Sequence, residues 1–258
     1  LEHALAHVTT YEEVLDAREE VRERVLPDGS MHLVFEANES AARLRVAGPS
    51  LRPAMLVMRG HVRGLSVKLK PGAALALFGT SAHEIADRAV PWDELVGARQ
   101  RGLPERLQEA DTDARRVALL TRTLHAMLDE LDGAALRKVV HAAAMLRGVA
   151  GVPIPKAADS VGLSERRLQQ LFQAHVGLSP RAWRRLARIH DCVRLLRRGE
   201  PLPWASVAAE CGFSDQSHLS HEFRAICGLT PAQFLQRRGA SLVRHAHVDS
   251  DALPARQA

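Results

Sequence analysis

Two periodicities divide the chain. Between Val25 and Lys70 apolar and polar residues alternate, with Leu44 and Val46 set against Arg43 and Arg45, and Leu65, Val67 and Leu69 against Ser66, Lys68 and Lys70. A period of two predicts half-buried strands, at Met31–Phe35, Ala42–Ala47, Met55–Met58 and Val62–Leu69. Turns at Val25–Gly29, Asn38–Ser40 and Gly48-Pro49 separate them. Pro71-Gly72 ends the last strand. Ala73–Phe78 reads as a short apolar helix, Ala82–Val90 as a returning strand, and Pro91–Val96 as a one-turn helix. Before Arg24 the pattern is loose, and Val14, Leu15 and Val21 fit either a helix or a leading strand.

From Thr112 onward the spacing becomes helical. Thr112–Leu131 opens beside Asp111 and Asp113, which favour a helix N-terminus, and Gly133 follows its end. Its Val117, Leu120, Leu124, Met127 and Leu131 alternate steps of three and four, an a/d row. That row fits either packing on the chain's own β-structure or a seam between two subunits. Leu136–Leu146 is the next helix, with Val139, Val140, Ala143, Ala144 and Leu146 inward. Pro180–Arg198 carries no internal breaker and reads as one helix, roughly 28 Å long. After Gly239 periodicity is lost, which predicts a flexible tail over 240–258.

The helical half contains a repeat. Ala158–Arg184 reads A-D-S-V-G-L-S-E-R-R-L-Q-Q-L-F-Q-A-H-V-G-L-S-P-R-A-W-R, and from Ala208 follows A-A-E-C-G-F-S-D-Q-S-H-L-S-H-E-F-R-A-I-C-G-L-T-P-A-Q-F. Gly162 matches Gly212, and Ser164 matches Ser214. After one extra residue in the second copy, Leu168 matches Leu219, Phe172 matches Phe223, Gly177 matches Gly228, Pro180 matches Pro231 and Trp183 matches Phe234. Each copy reads as helix, glycine turn, helix. Ile154 and Trp204 pack the first helix of each copy, and Ser164 and Ser214 suit the N-cap of the second. That second helix buries Leu168, Leu171, Phe172 and Val176, or Leu219, Phe223 and Ile226. Its other positions are rich in hydrogen-bond donors: Arg166, Arg167, Gln169 and Gln170, then Gln216, Ser217, His218, Ser220, His221 and Arg224. Arg and Gln pair bidentately with guanine and adenine edges in the major groove.

Charge strengthens that reading. The 258 residues carry a formal net charge of +5. From Ala134 to Gly239 there are 16 Lys+Arg against 7 Asp+Glu, net +9; from Leu1 to Gly133 the balance is 17 against 21, net −4. The basic surplus coincides with the repeat and suits a polyanionic partner. No apolar run reaches a membrane span, and no secretory segment opens the chain. Cys192, Cys211 and Cys227 lack CxxC spacing and read as reduced structural thiols of a cytoplasmic protein.

These motifs resemble a known family. The segment from about Ala135 to Gly239, with its G-F-S-D-Q-S-H-L-S-H-E-F-R-A-I-C-G-L-T-P-A-Q-F run, is similar to the DNA-binding domain of AraC/XylS-type transcriptional regulators. L-P-D-G-S-M-H-L-V-F, V-K-L-K-P-G-A-A-L-A-L-F-G and D-R-A-V-P-W-D-E-L-V-G, over about Val25–Gly97, resemble the cupin-like sensor domain found in many such regulators, on less specific motifs. The resemblance implies an α+β chain with a cupin-like β-barrel or sandwich over 1–110, a connecting helix over 111–133, a double helix-turn-helix domain over 134–239 and the tail. It implies binding of double-stranded DNA by two recognition helices in adjacent major-groove segments. It also implies activation through RNA polymerase, an N-terminal domain that takes a small-molecule effector or dimerises, and a homodimer contact through 112–131. By the family motif Arg166, Gln169, Gln170, Gln216, Ser217, His218, Ser220 and His221 face base edges. Arg167, Arg224 and the arginines of the linking helix face phosphates.

Two other classes stay open at this point. One is a cupin enzyme tethered to DNA. His32, His61 and His83 are widely spaced with no H-x-H, Glu36 and Glu84 meet them only if the fold allows, and His3, His7 and His245-x-His247 read as solvated. No catalytic motif occurs, so no cofactor, metal or enzymatic activity is expected. The other is an architectural DNA-coating protein, against which the differing polar faces of the two recognition helices argue.

Overall fold

The computed structural model describes residues 5–16, 19–38, 41–98, 100–128, 133–147, 151–198, 202–236 and 245–248, with backbone alone at 5–6 and 245–248. The chain is α+β. Its first part is built from β1 (Leu5–Val14), β2 (Glu20–Val25), β3 (Met31–Ala37), β4 (Ala42–Ala47), β5 (Ala54–Arg59), β6 (His61–Leu69) and β7 (Ala89–Pro91). Together with β8 (His245–Val248) they form a six-stranded sheet in the order β7-β4-β3-β6-β1-β8 and a separate β2-β5 ribbon. Every pairing is antiparallel.

Alternation sorts the two faces of the sheet. Met31, Leu33, Phe35, Leu44, Val46, Leu65, Val67 and Leu69 share a core with α1 (Ala73–Phe78), α3 (Leu103–Glu109) and α4 (Asp113–Met127). α2 (Trp92–Leu95) adds the buried Trp92, whose Nε1 donates to the Gln100 carbonyl at 2.7 Å. On the opposite face the ribbon seats Met58 against Tyr11. The Tyr11 ring lies directly on Gly64, where any Cβ would overlap it.

One open alternative is decided here and two expectations change. Residues before Arg24 form strands, with β1 inside the sheet between β6 and β8. The signal is cross-strand: Glu12 pairs with His61 at 2.8 Å and Arg63 at 2.8 Å on β6, partners that no single-strand reading could supply. Ala82–Val90 is mostly turn, and only Ala89–Pro91 is strand. There the backbone bonds elsewhere, with Asp87 N–H donating to Pro49 O at 3.1 Å and Ala82 N–H to Ala174 O at 2.9 Å. In the stretch expected to be a flexible tail, His245–Val248 pairs antiparallel with Val8–Tyr11.

α4 starts where predicted, with Thr112 capping the Arg115 amide. Its Val117, Leu120 and Leu124 are buried in the sheet's own core, with Met127 packed beside them; Leu131 lies outside the described residues. That row is therefore not available as a seam to a second subunit. Arg116, 3% exposed, donates to the carbonyls of Leu107 (3.1 Å) and Ala110 and to Asp113 (2.8 Å). It closes the C-terminus of α3, a role its sequence context does not announce.

The rest is helical: α5 (Gly133–Met145), α6 (Ile154–Ser160), α7 (Glu165–His175), α8 (Pro180–Arg198), α9 (Trp204–Glu210), α10 (Gln216–Cys227) and α11 (Pro231–Gln236). Side chains from α5 through α10 share one core, with Phe234 of α11 packed against it. α5 buries Val139, Ala142 and Ala143, with Leu146 buried just past its end, while Val140 and Ala144 face outward. The expected face was out of phase because Ala142–Ala144 offer no polar residue to fix it. Cys192, Cys211 and Cys227 are buried free thiols, and burial pushes Cys227 up to about 12.

The two parts meet along three lines. Gly72 and Ala82 donate backbone N–H groups to His175 O (2.8 Å) and Ala174 O (2.9 Å), at the end of α7. Arg24 and Pro53 of the ribbon side press on Gly228, at the end of α10. The 26–29 turn rests on α8, where His190 Nε2 donates to Pro27 O at 2.8 Å. Burial, the largest influence, lowers the His190 pKa, against the opposing effects of the Pro27 carbonyl and Asp28. Its neutral form is thus favoured in the fold. Stability from this contact is present above the unfolded histidine value of about 6.5 and is lost as pH falls below it. The urea midpoint should therefore drop between about pH 7 and 5.5, and His190→Gln should drop less. Equal slopes in the two proteins would remove His190 as the cause.

Candidate nucleic-acid interface

Each repeat builds the expected unit. α6 and α9 end in glycines with φ of 65° (Gly162) and 72° (Gly212), a region open to glycine without the Cβ clash. Ser164 accepts from the Arg167 amide and starts α7. In the second repeat the inserted residue takes over: Asp215, not Ser214, caps α10 by accepting from the His218 amide at 2.8 Å. That bond holds the Asp215 carboxyl below its ordinary pKa. Ser179 and Thr230 cap the helices that follow, accepting from Ala182 (3.1 Å) and Gln233 (3.2 Å).

The inner faces match the reading. Leu168, Leu171, Phe172 and Val176 are buried in the first repeat, and Leu219, Phe223 and Ile226 in the second. On the outer faces Arg166, Arg167, Gln169 and Gln170 are exposed, as are Gln216, Ser217, His221 and Arg224. Gln170 Oε1 accepts from Arg167 Nη1 at 3.3 Å. His218 and Ser220 are only half-exposed. The His218 ring stands edge-on to Phe213, centroids 5.4 Å apart, and its Nδ1 lies 3.0 Å from Ser214 Oγ. It belongs as much to the turn as to the outer face. The N-terminal part touches the ends of α7 and α10 at Ala174–Gly177 and Gly228, beyond these polar residues.

The arginines of α8 divide into two groups. Arg185 forms a double hydrogen bond to Glu222 at 2.7 and 3.2 Å. Burial works against the Glu222 charge, yet Arg185 outweighs it and holds the carboxyl below its ordinary range. Arg188 donates to Gly212 O at 3.1 Å and lies over the Phe213 ring at 5.1 Å. Arg194 pairs with Asp191. Arg185 and Arg188 brace the fold and Arg194 is taken up within α8, so the expectation that linking-helix arginines face phosphates narrows to the exposed Arg181, Arg197 and Arg198 and the half-exposed Arg184. The bracing role was hidden because Arg185 and Glu222 are 37 residues apart; the only local signal was the spacing of three between Arg185 and Arg188.

Among the described residues no three His, Cys, Asp or Glu side chains converge; His32 pairs with Asp28 at 3.1 Å and His61 with Glu12 at 2.8 Å. Among the described residues no helix is long and apolar enough to cross a membrane.

Two helix-turn-helix units hung on one linking helix define the class of the C-terminal part. A helix-turn-helix domain family matches residues 157–237, and a domain of unknown function (DUF6597) matches residues 1–91. Over the C-terminal part the chain is similar to AraC-type transcriptional regulators. It is 32% identical over 121 residues to the arabinose operon regulatory protein of Salmonella typhimurium, covering 46% of this chain and 41% of that one. It is 30% identical over 116 residues to the bifunctional transcriptional activator/DNA repair enzyme Ada of Escherichia coli, covering 45% and 32%. It is 35% identical over 85 residues to the transcriptional activator RhaS of Escherichia fergusonii, covering 33% and 30%. The chain thus spans less than half the length of these curated relatives. Among solved structures, ToxT from Vibrio cholerae aligns over 90% of this chain and 98% of its own, at 11% identity and a TM-score of 0.43. An AraC-type regulator from Chromobacterium violaceum aligns over 43% and 99%, at 23% identity and a TM-score of 0.39.

Proposed function

We propose that the chain is a sequence-specific DNA-binding transcription activator, working in the cytoplasm without catalytic activity of its own. The observation that carries this is the repeat made physical: two recognition helices, each started by a side-chain cap, bury their apolar sides in a common core and leave Arg and Gln exposed. The domain division falls near residues 110 and 133, with the N-terminal part sensing a small-molecule effector and residues 134–239 reading DNA. Relatives carry transcriptional activation in their names, and RNA polymerase is the partner through which it runs. A homodimer, if formed, uses a surface other than the buried row of α4. α8, 19 residues long, spans roughly 28 Å, close to the ~34 Å between successive major-groove faces. Because the two polar faces differ, the site is asymmetric.

Selection of bound fragments from a genomic DNA pool at physiological salt tests the reading. A shared asymmetric motif with two elements about one helical turn apart is expected; binding without any shared motif would overturn it. On that motif, Gln169→Ala or Gln216→Ala should cost about 1–3 kcal/mol and relax one base pair. Arg224→Ala should weaken binding to every sequence and flatten the salt dependence by about one ion. Uniform losses across all three variants would show that base and phosphate roles are wrongly divided.

A further inference from the structure

Among the described residues six large apolar side chains are exposed, and three of them, Val25, Met55 and Val57, lie on the β2-β5 ribbon. The ribbon has two faces. Val21, Leu56 and Met58 turn inward and pack with Tyr11. Met55 and Val57 turn outward, beside Arg24 and Arg22, their partners across the ladder. Single apolar residues scattered over a surface need no explanation. Two on one face of an edge strand are different, because the backbone beside them can take another strand.

The two edges of the ribbon are not alike. Among the described residues β2 and β5 pair only with each other, so each keeps a row of backbone N–H and C=O groups on its other side. Open edges are commonly protected by charge. β2, E-V-R-E-R-V, is protected in this way, with Glu20, Arg22, Glu23 and Arg24 along its length. β5, A-M-L-V-M-R, has a single charge, Arg59, at its last position. Glu20 already holds it.

The β5 edge is complementary to itself. Two copies running antiparallel about a two-fold axis at Leu56 set Met55 of each opposite Val57 of the other, on the outer face. The outer face then carries a continuous apolar strip, and Leu56 meets Leu56 on the inner face. The two Arg59 side chains fall at opposite ends of the pair, each beyond the other copy's strand. The charged β2 strands become the outer edges of the joined sheet. In-register parallel pairing would instead set Arg59 against Arg59, which like-charge repulsion disfavours.

We propose that the free edge of β5 is where two copies of this chain pair, giving one continuous sheet in the order β2-β5-β5-β2. The row on α4 that helical spacing offered for this role is buried in the chain's own core. Pairing through β5 joins two helix-turn-helix parts in one assembly. That consequence rests on the DNA-binding reading; the pairing does not.

Sedimentation equilibrium on the full chain, over about 1–100 µM, should show a monomer–dimer equilibrium. Val57→Lys, at an exposed position, puts a charge in the middle of the edge and should weaken the dimer at least about tenfold. Val140→Lys, at an exposed position of the helical part, should leave it unchanged. Cysteines read the register. Met55→Cys mixed with Val57→Cys should cross-link under mild oxidation, because directly opposite Cα atoms lie within disulfide reach. Either variant alone should cross-link far less, its two cysteines being offset along the strands. A chain that stays monomeric over that range, a dimer that Val57→Lys leaves intact, or cross-linking without preference for the mixed pair would each overturn the proposal. No DNA enters these measurements, so a fragment selection that finds no motif would sink the regulator reading and leave the pairing standing.

Discussion

Gly177→Ala is expected to destabilise the protein far more than Gly162→Ala, although both glycines occupy the same backbone region, with φ of 82° and 65°. An L-residue there costs roughly 1–2 kcal/mol whatever surrounds it. Around Gly162 a Cβ meets open space, so that cost is the whole effect. At Gly177 the Cβ would overlap the Pro49 ring and stand 2.8 Å from Ala82 O. Relieving this adds about 1–3 kcal/mol of overpacking, or the two parts separate. The neighbouring Ala82 amide bond to Ala174 O would go with them. Urea titration of both variants, with limited proteolysis of the 82–88 turn, reads the difference. Equal losses would mean that the two parts do not rest on one another at the end of α7 in solution.

That contact also marks where the sequence stopped being legible. Both repeats could be read because each is a local code: turn glycine, capping residue, and apolar positions at helical spacing, written twice. The copy was followed too closely at one point: the match to Ser164 put the second cap at Ser214, whereas the extra residue moves it to Asp215. The strands of the first part were legible where alternation was undiluted, as in β6. β1 stayed open between helix and strand because the apolar Val14 is exposed there and its partners lie some fifty residues away. The returning strand expected at Ala82–Val90 failed for a related reason: those amides are used by Pro49 and by α7. Within the candidate interface, exposure of Arg166, Gln169 and Gln216 followed directly from helical phase. The bracing of Arg185 and Arg188 did not, because it depends on which elements lie across α8.

The same packing decides how the two repeats fail. Phe223 is fully buried, with its ring 5.6 Å from that of Phe234, and Phe172 is its buried counterpart in the first repeat. Both belong to one continuous core with Leu186, Ile189 and Val193 of α8. Phe223→Ala should cost about 3–5 kcal/mol, a large share of the roughly 5–15 kcal/mol that holds a domain together. Because the core is shared, that loss should not stay in the second repeat. Arg185 and Arg188 bind α8 to Glu222 and Gly212, so loosening α10 frees the helix on which α7 also packs. Hydrogen exchange should show α7 and α10 losing protection together, and urea should give one transition for the helical part. Protection retained in α7 while α10 exchanges freely would mean that the repeats are independent modules. The linking helix would then hold their spacing without transmitting stability between them.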